Sequence, residues 1–205
     1  MKRPPRKSGA KSGGKDGTKV RALTIFLDRD GVLNRDPGKA YYVRRPAQFR
    51  WNPGVFAALK ALTRAGARMV VVSNQAGVGK GLVSLDALDA ITGKIYTDLS
   101  RRGIVLDGVF YCTCAPEAGC ACRKPKPGLF RAADRVLRLG RGARFMVGDT
   151  ERDVAAGRAA GCRTVLALTG KTRSASDVQK FKVRPDHIAP DLKKAVQWIL
   201  AQKRS

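Results

Sequence analysis

The sequence is poor in several things at once. It has one histidine, His187, two glutamates, Glu117 and Glu151, and 6% aromatic residues. No apolar run reaches membrane-spanning length, which excludes a transmembrane helix. The basic opening, MKRPPRKSGAKSGGKDGTK, contains no apolar stretch, so a secretory signal is not expected and a cytoplasmic location is. Its Gly, Ser and Pro content makes residues 1–19 read as a disordered tail. The few aromatics leave little on which nucleic-acid bases could stack. No internal repeat is visible.

Acidic residues are scarce: 16 against 41 basic ones, a net charge of +25 over 205 residues. The tail holds seven Lys or Arg and one Asp, a net +6, so +19 belongs to the remainder. Such a surface suits anionic partners, whether phosphorylated metabolites or nucleic acid. Hydrophobic content of 43% and charged content of 28% fit one soluble domain, taken as residues 20–205.

Beyond the tail, strand and helix signals alternate. Apolar or β-branched runs at 22–27, 68–73, 108–112, 143–148 and 162–168 read as strands. Segments 53–66, 84–103, 127–140, 152–161 and 189–200 read as helices, the second capped by Ser84. This alternation predicts an α/β fold, a Rossmann-like parallel sheet with helices on both faces. Ligands of such sheets bind beyond the carboxyl ends of the strands. There the sequence puts Asp28 and Asp30, then Ser73, Asn74 and Gln75, then four cysteines, then Asp149 and Asp153.

Clustered carboxylates repel unless a cation joins them, and oxygen ligands favour Mg²⁺. Asp28, Asp30 and Asp149 would form such a cluster, with Gly31 allowing a sharp bend. Lys124 would add a fixed cation and Ser73 a hydroxyl. Carboxylate, Mg²⁺, lysine and hydroxyl together make a phosphoryl-transfer site.

Four of the five cysteines, Cys112, Cys114, Cys120 and Cys122, form C-x-C-x₅-C-x-C. In a reducing compartment this spacing suits tetrahedral, structural Zn²⁺ rather than disulfides. The loop ends directly in Arg123 and Lys124, so a metal there would fix two cations at the mouth of the site. Cys162 reads as a core residue.

FLDRDGVLN, VVSNQAGVGKGL, CRKPKPG and MVGDTERD resemble the four motifs of haloacid-dehalogenase-like phosphatases. The similarity is closest to D-glycero-D-manno-heptose-1,7-bisphosphate 7-phosphatases and their histidinol-phosphate phosphatase relatives. It implies a sheet with no large cap domain. It implies Asp28 as nucleophile, Asp30 as acid and base, and Ser73 and Lys124 as holders of the transferring oxygens. Mg²⁺ would sit on Asp28, the Asp30 carbonyl and Asp149, while Asp153 would orient the Asp149 loop or a metal-bound water. Asn74, Gln75 and Arg123 would contact substrate. Asp36 and Tyr42 match positions expected to touch sugar.

Relatives build the zinc loop from three Cys and one His; here Cys114 stands at the His position, and His187 is too distant to substitute. Thr150 stands where the heptose enzymes show a basic residue. Candidate cations at the entrance are Lys39, Arg44, Arg45, Lys80 and Arg123. They favour a sugar bisphosphate, for lipopolysaccharide biosynthesis, over histidinol phosphate with its amine. A nucleic-acid 3′-phosphatase, or a zinc-stapled basic module binding nucleic acid, is the rival class. Nucleic acid is not required, though the basic tail could bind it. A monomer is expected.

Overall fold

Leu23, Ile25 and Leu27 point to one side of the first strand and Phe26 to the other, and both sides are buried. That pattern is the mark of a central parallel strand covered by helices on two faces. In the computed structural model, which describes residues 23–38, 42–140 and 142–202, this strand lies inside a sheet of six. The predicted tail, residues 1–19, lies outside the described residues, as does Lys39.

In chain order the elements are β1 (Leu23–Leu27), α1 (Val55–Arg64), β2 (Arg68–Asn74), α2 (Ala76–Gly79), α3 (Leu85–Ser100) and β3 (Gly108–Cys112). Then follow α4 (Gly128–Leu137), β4 (Ala143–Gly148), α5 (Glu151–Ala159), β5 (Arg163–Ala167), α6 (Ala175–Val178), β6 (His187–Ala189) and α7 (Leu192–Ala201). The sheet order is β3-β2-β1-β4-β5-β6 and every pair is parallel. On one face Leu59 and Leu62 of α1, Ile91 and Ile95 of α3 and Val196 and Ile199 of α7 pack on Ile25, Met69, Val71 and Val147. On the other, Phe130 of α4 and Ala156 of α5 pack on Phe26, Val70, Val72 and Met146. The Phe26 and Phe130 rings lie 4.8 Å apart.

Strand order reverses between β1 and β4, so the crevice of the sheet opens past their carboxyl ends. Asp28 follows β1 and Asp149 follows β4, one on each side of that crevice. The backbone turns at once after Asp30, where Gly31 adopts φ +84°. A side chain there would be strained, and its Cβ would overlap the Asp149 carboxylate. Asn52 fixes the turn from below, its amide donating to the carbonyls of Gly31, Val32 and Asn34 at 3.1–3.2 Å.

The sequence reading carried the last helix back to residue 189 and found no strand before it. The structure has β6 there, paired with β5, and starts α7 only after Asp191, whose side chain caps it. Three residues are too few for a period of two to stand out. Pro190 breaks the chain between strand and helix. Among the described residues no helix is long and apolar enough to cross a membrane.

Candidate active site

Lys124 is a buried, fully bonded cation at the carboxyl edge of the sheet. Its side chain is 2% exposed, and its ammonium reaches Asp153 Oδ1 at 2.6 Å, Asp28 Oδ1 at 3.0 Å and the Val72 carbonyl at 2.8 Å. Those three contacts use all of its N–H bonds. The backbone of Lys124 is clamped as well. Its N–H donates to Asn74 Oδ1 and its carbonyl accepts from Asn74 Nδ2, at 3.0 and 3.1 Å. The lysine therefore enters the site from the segment after β3 but is fixed there by the end of β2.

Asp28 receives both Lys124 Nζ and the Arg29 N–H on one oxygen, Oδ1, leaving Oδ2 without a cationic partner. Burial pushes its carboxyl up to about 6, with Lys124 pulling the other way and Asp153 adding to the rise. Asp149 is raised well above the ordinary carboxylate range by burial, then by Asp153 and Asp28; its Oδ2 accepts the Lys171 N–H at 2.7 Å. Asp153 is different. Burial would raise it, but Lys124 and the bonds from Thr150 more than offset that and hold it low. Both its oxygens are taken, one by Lys124, the other by the Thr150 hydroxyl at 2.6 Å and N–H at 3.0 Å, closing a capping box on α5.

Asp30 is surrounded by donors. Arg29 Nε and Nη2, Asn34 Nδ2 and Gln75 Nε2 all reach its carboxylate within 2.9–3.1 Å. Burial acts to raise this carboxyl, yet Arg29 and the hydrogen bonds outweigh it and keep it below its usual range. Arg29 itself is fully buried beside the Tyr111 ring, an arrangement the sequence reading did not anticipate. A buried guanidinium needs an anion, and Asp30 is the one within reach.

One cavity of about 420 Å³ is lined by Asp28, Asp30, Asp36, Tyr42, Ser73, Asn74, Arg123, Lys124 and Asp149. Gln75 does not line it: the side chain lies behind, bonded to Asp30 and Ser73. Exposed Lys80, the C-cap of α2, is not in the lining, and Arg44 lines a neighbouring depression instead. Arg45 is exposed and outside the lining. Arg152 and Lys171 do line the cavity, although sequence reasoning passed over both. The only available signal was their nearness to Asp149 or to a strand end.

Three carboxylates, Asp28, Asp149 and Asp153, bring oxygens within 4.8 Å of one another, and among the described residues Lys124 is the one ammonium bonded among them. The excess of two negative charges is what one divalent cation would neutralise. Space is kept for it because Gly31 and Gly170 have no Cβ to cover Asp149. Both Asp153 oxygens already accept hydrogen bonds or the Lys124 ammonium, which leaves Asp28 and Asp149 the less committed of the three.

The four cysteines also converge. Sulfur separations of 3.0 Å (112–122), 3.3 Å (120–122), 3.4 Å (112–120) and 4.0 Å (114–122) bracket the roughly 3.8 Å edge of a zinc–thiolate tetrahedron. All four are free thiols. Hydrogen bonds from Cys114 and Cys122 hold the Cys120 thiol down at about 6, whereas burial and its neighbours push Cys122 well up. Pro116, within this loop, forms part of the cavity wall.

The sequence is 39% identical to the D-glycero-beta-D-manno-heptose-1,7-bisphosphate 7-phosphatase of Bordetella bronchiseptica, over 73% of this chain and 82% of that protein. It is 35% identical to the enzyme of the same name from Escherichia coli O6:H1, over 86% and 87%. The chain belongs to this phosphatase family. A family model described as "HAD-hyrolase-like" matches residues 121–195. The crystal structure of the B. bronchiseptica D,D-heptose 1.7-bisphosphate phosphatase, complexed with magnesium and phosphate, superposes with a TM-score of 0.79. It is 34% identical, with 88% of this chain and 99% of that one covered. The Burkholderia thailandensis phosphatase gives 0.64 at 27% identity, covering 87% and 99%. As a member of this phosphatase family, the chain is a phosphoric monoester hydrolase.

The raised carboxyls carry a consequence for stability. A carboxyl whose pKa is higher folded than unfolded stabilises the fold at low pH, and that contribution is lost as pH rises through about 6 for Asp28. A divalent cation would bind the deprotonated pair and oppose the loss. The rise in Tm that Mg²⁺ produces is therefore expected to be larger near about pH 7.5 than near about pH 5. Calorimetry reads it directly, and equal rises at both pH values would contradict this assignment of ligands.

Proposed function

We propose that this chain removes the 7-phosphate of D-glycero-D-manno-heptose 1,7-bisphosphate, supplying a nucleotide-activated heptose for surface polysaccharide. The observation that carries the reading is the state of Asp28: buried, lining the cavity, with Lys124 and the Arg29 N–H both on Oδ1 and no cation on Oδ2. Oδ2 would be the attacking oxygen.

In the first step Asp28 Oδ2 forms a bond to phosphorus and the ester P–O bond breaks. The leaving sugar oxygen takes a proton from Asp30. In the second, water attacks the aspartyl phosphate, Asp30 takes the water's proton, and the P–O bond to Asp28 breaks. Five hydrogen-bond contacts onto the Asp30 carboxylate favour its base form. To arrive protonated for the first step, Asp30 must release at least one of them. Ser73 and Asn74 flank the transferring group, and Lys124 offsets the charge on Asp28. Mg²⁺, held by Asp28, Asp149 and the Asp30 carbonyl, would supply electrostatic stabilisation of the phosphoryl oxygens.

Asp36 and Tyr42, on the cavity wall, are placed to meet sugar hydroxyls. Histidinol phosphate would bring its ammonium toward Arg123, Arg152 and Lys171, which disfavours it. Zn²⁺ on Cys112, Cys114, Cys120 and Cys122 would be structural, since four thiolates leave no open position. It would hold Pro116 and the approach to Arg123 and Lys124 in one conformation. Residues 1–19 would be a separate basic tail.

Three outcomes are expected. Phosphate release should be fastest with the heptose bisphosphate among a panel that includes fructose bisphosphate, histidinol phosphate and a 3′-phosphorylated oligonucleotide. Asp28→Asn should lower the rate by at least about 10³-fold. Similar slow rates on every compound would refute the substrate, and an unaffected variant would refute the mechanism. Native mass spectrometry should find one zinc per chain, lost in Cys114→Ser and kept in Cys114→His. Metal-free protein with full stability would refute the zinc site.

A further inference from the structure

The cations around the cavity fall into two depths. Lys124 lies at the floor, buried, and its N–H bonds are filled by Asp28, Asp153 and the Val72 carbonyl. Arg152 and Lys171 also line the cavity but are exposed to solvent. Arg152 is the second residue of α5 and Lys171 follows β5, so two separate elements bring them to one rim.

The acids at that rim do not neutralise them. One oxygen of Glu151 accepts from the backbone N–H groups of Lys182 and Val183, which turns that carboxylate toward the 182–183 segment. Thr150 gives its hydroxyl to Asp153. Asp149 accepts the Lys171 N–H through the backbone, which fixes where that residue starts but leaves its ammonium free. Among the described residues neither Arg152 nor Lys171 forms an ion pair. Arg123, which also lines the cavity, has a buried Nη1 with no hydrogen-bond partner. A buried guanidinium donor left open is costly without a ligand.

We propose that Arg152 and Lys171, together with the open edge of Arg123, bind the phosphate that is not transferred. The proposal rests on the bisphosphatase reading above. It adds that recognition of the second phosphate comes from the first turn of α5 and from the segment after β5. A substrate with phosphates at its two ends would then span the cavity. One end would meet Asp28 at the floor, and the other would meet an uncompensated cationic rim. Phosphate oxygens are strong acceptors, and guanidinium and ammonium groups are their usual partners. Thr150 contributes no charge here, because its side chain is committed to the cap of α5.

The test compares heptose 1,7-bisphosphate with heptose 7-phosphate, which lacks only the second phosphate. Arg152→Ala and Lys171→Ala should each lower kcat/KM for the bisphosphate about tenfold more than for the monophosphate, mainly through KM. The double variant should bring the two substrates close together, and Arg152→Lys should recover part of the difference. A double variant that keeps the wild-type preference overturns the proposal and leaves the bisphosphatase reading standing. Wild-type protein with no preference for the bisphosphate also overturns it. Calorimetric binding of both compounds to Asp28→Asn with Mg²⁺, with and without the rim substitutions, gives a readout independent of turnover. There, equal losses of affinity for both compounds would refute a distal-phosphate role even if the protein hydrolysed neither.

Discussion

The site is organised around one ammonium group. Lys124 sits between Asp28 and Asp153 with almost no exposure, and each of its protons has an acceptor. Without it, two buried carboxylates would face a third, Asp149, with no positive charge among them. Two anions near 4 Å repel by about 4 kcal/mol even at an effective dielectric of 20, so such a cluster would protonate or open. With it, Asp153 is held ionised, while Asp28 and Asp149 stay raised and ready for a divalent ion. The same contact engages one oxygen of Asp28, Oδ1, and leaves the other without a cation. Stability and chemistry therefore draw on one interaction.

Delivering that ammonium takes three segments. The end of β2 clamps the Lys124 backbone through Asn74. The four-cysteine segment sets the path of the chain just before it. The capping box of α5 orients Asp153 as its counter-ion, so the cap that starts a helix also shapes the site. Two residues on from Asp28, Arg29 pairs with Asp30 as Lys124 pairs with Asp28, a buried cation fixing a carboxylate. The two aspartates still end in opposite electrostatic states: burial and Asp153 keep Asp28 raised despite Lys124, whereas Arg29 with the hydrogen bonds from Gln75 and Asn34 outweighs burial at Asp30. In the metal-free protein that division is the reverse of what a nucleophile and a general acid need, so a cation on Asp28 and the loss of a donor from Asp30 would have to invert it.

Much of this was legible in the sequence. Long apolar runs ending in Asp28 and Asp149 announced a parallel sheet and the edge where chemistry would gather. Cysteine spacing announced a compact metal-sized cluster. What was illegible depends on direction rather than identity. Nothing in DRDG says that Arg29 turns inward to Asp30, or that Gln75 stands behind Asp30 instead of facing substrate. Arg44, Arg45 and Lys80 were near the entrance along the chain yet lie outside its lining, whereas Arg152 and Lys171 line it. Such placements depend on how loops fold back over the sheet, which periodicity does not encode. The sixth strand escaped because three residues carry no pattern of their own.

The central claim is that Lys124 and the buried carboxylates are energetically one unit. A double-mutant cycle tests it most directly: Lys124→Met, Asp153→Asn and the pair, unfolded by urea in metal-free protein at neutral pH. The account predicts that each single change is strongly destabilising and that the pair costs less than their sum, with a coupling of at least about 1.5 kcal/mol. Effects that add to within about 0.5 kcal/mol would contradict it, because the two charges would then not depend on each other.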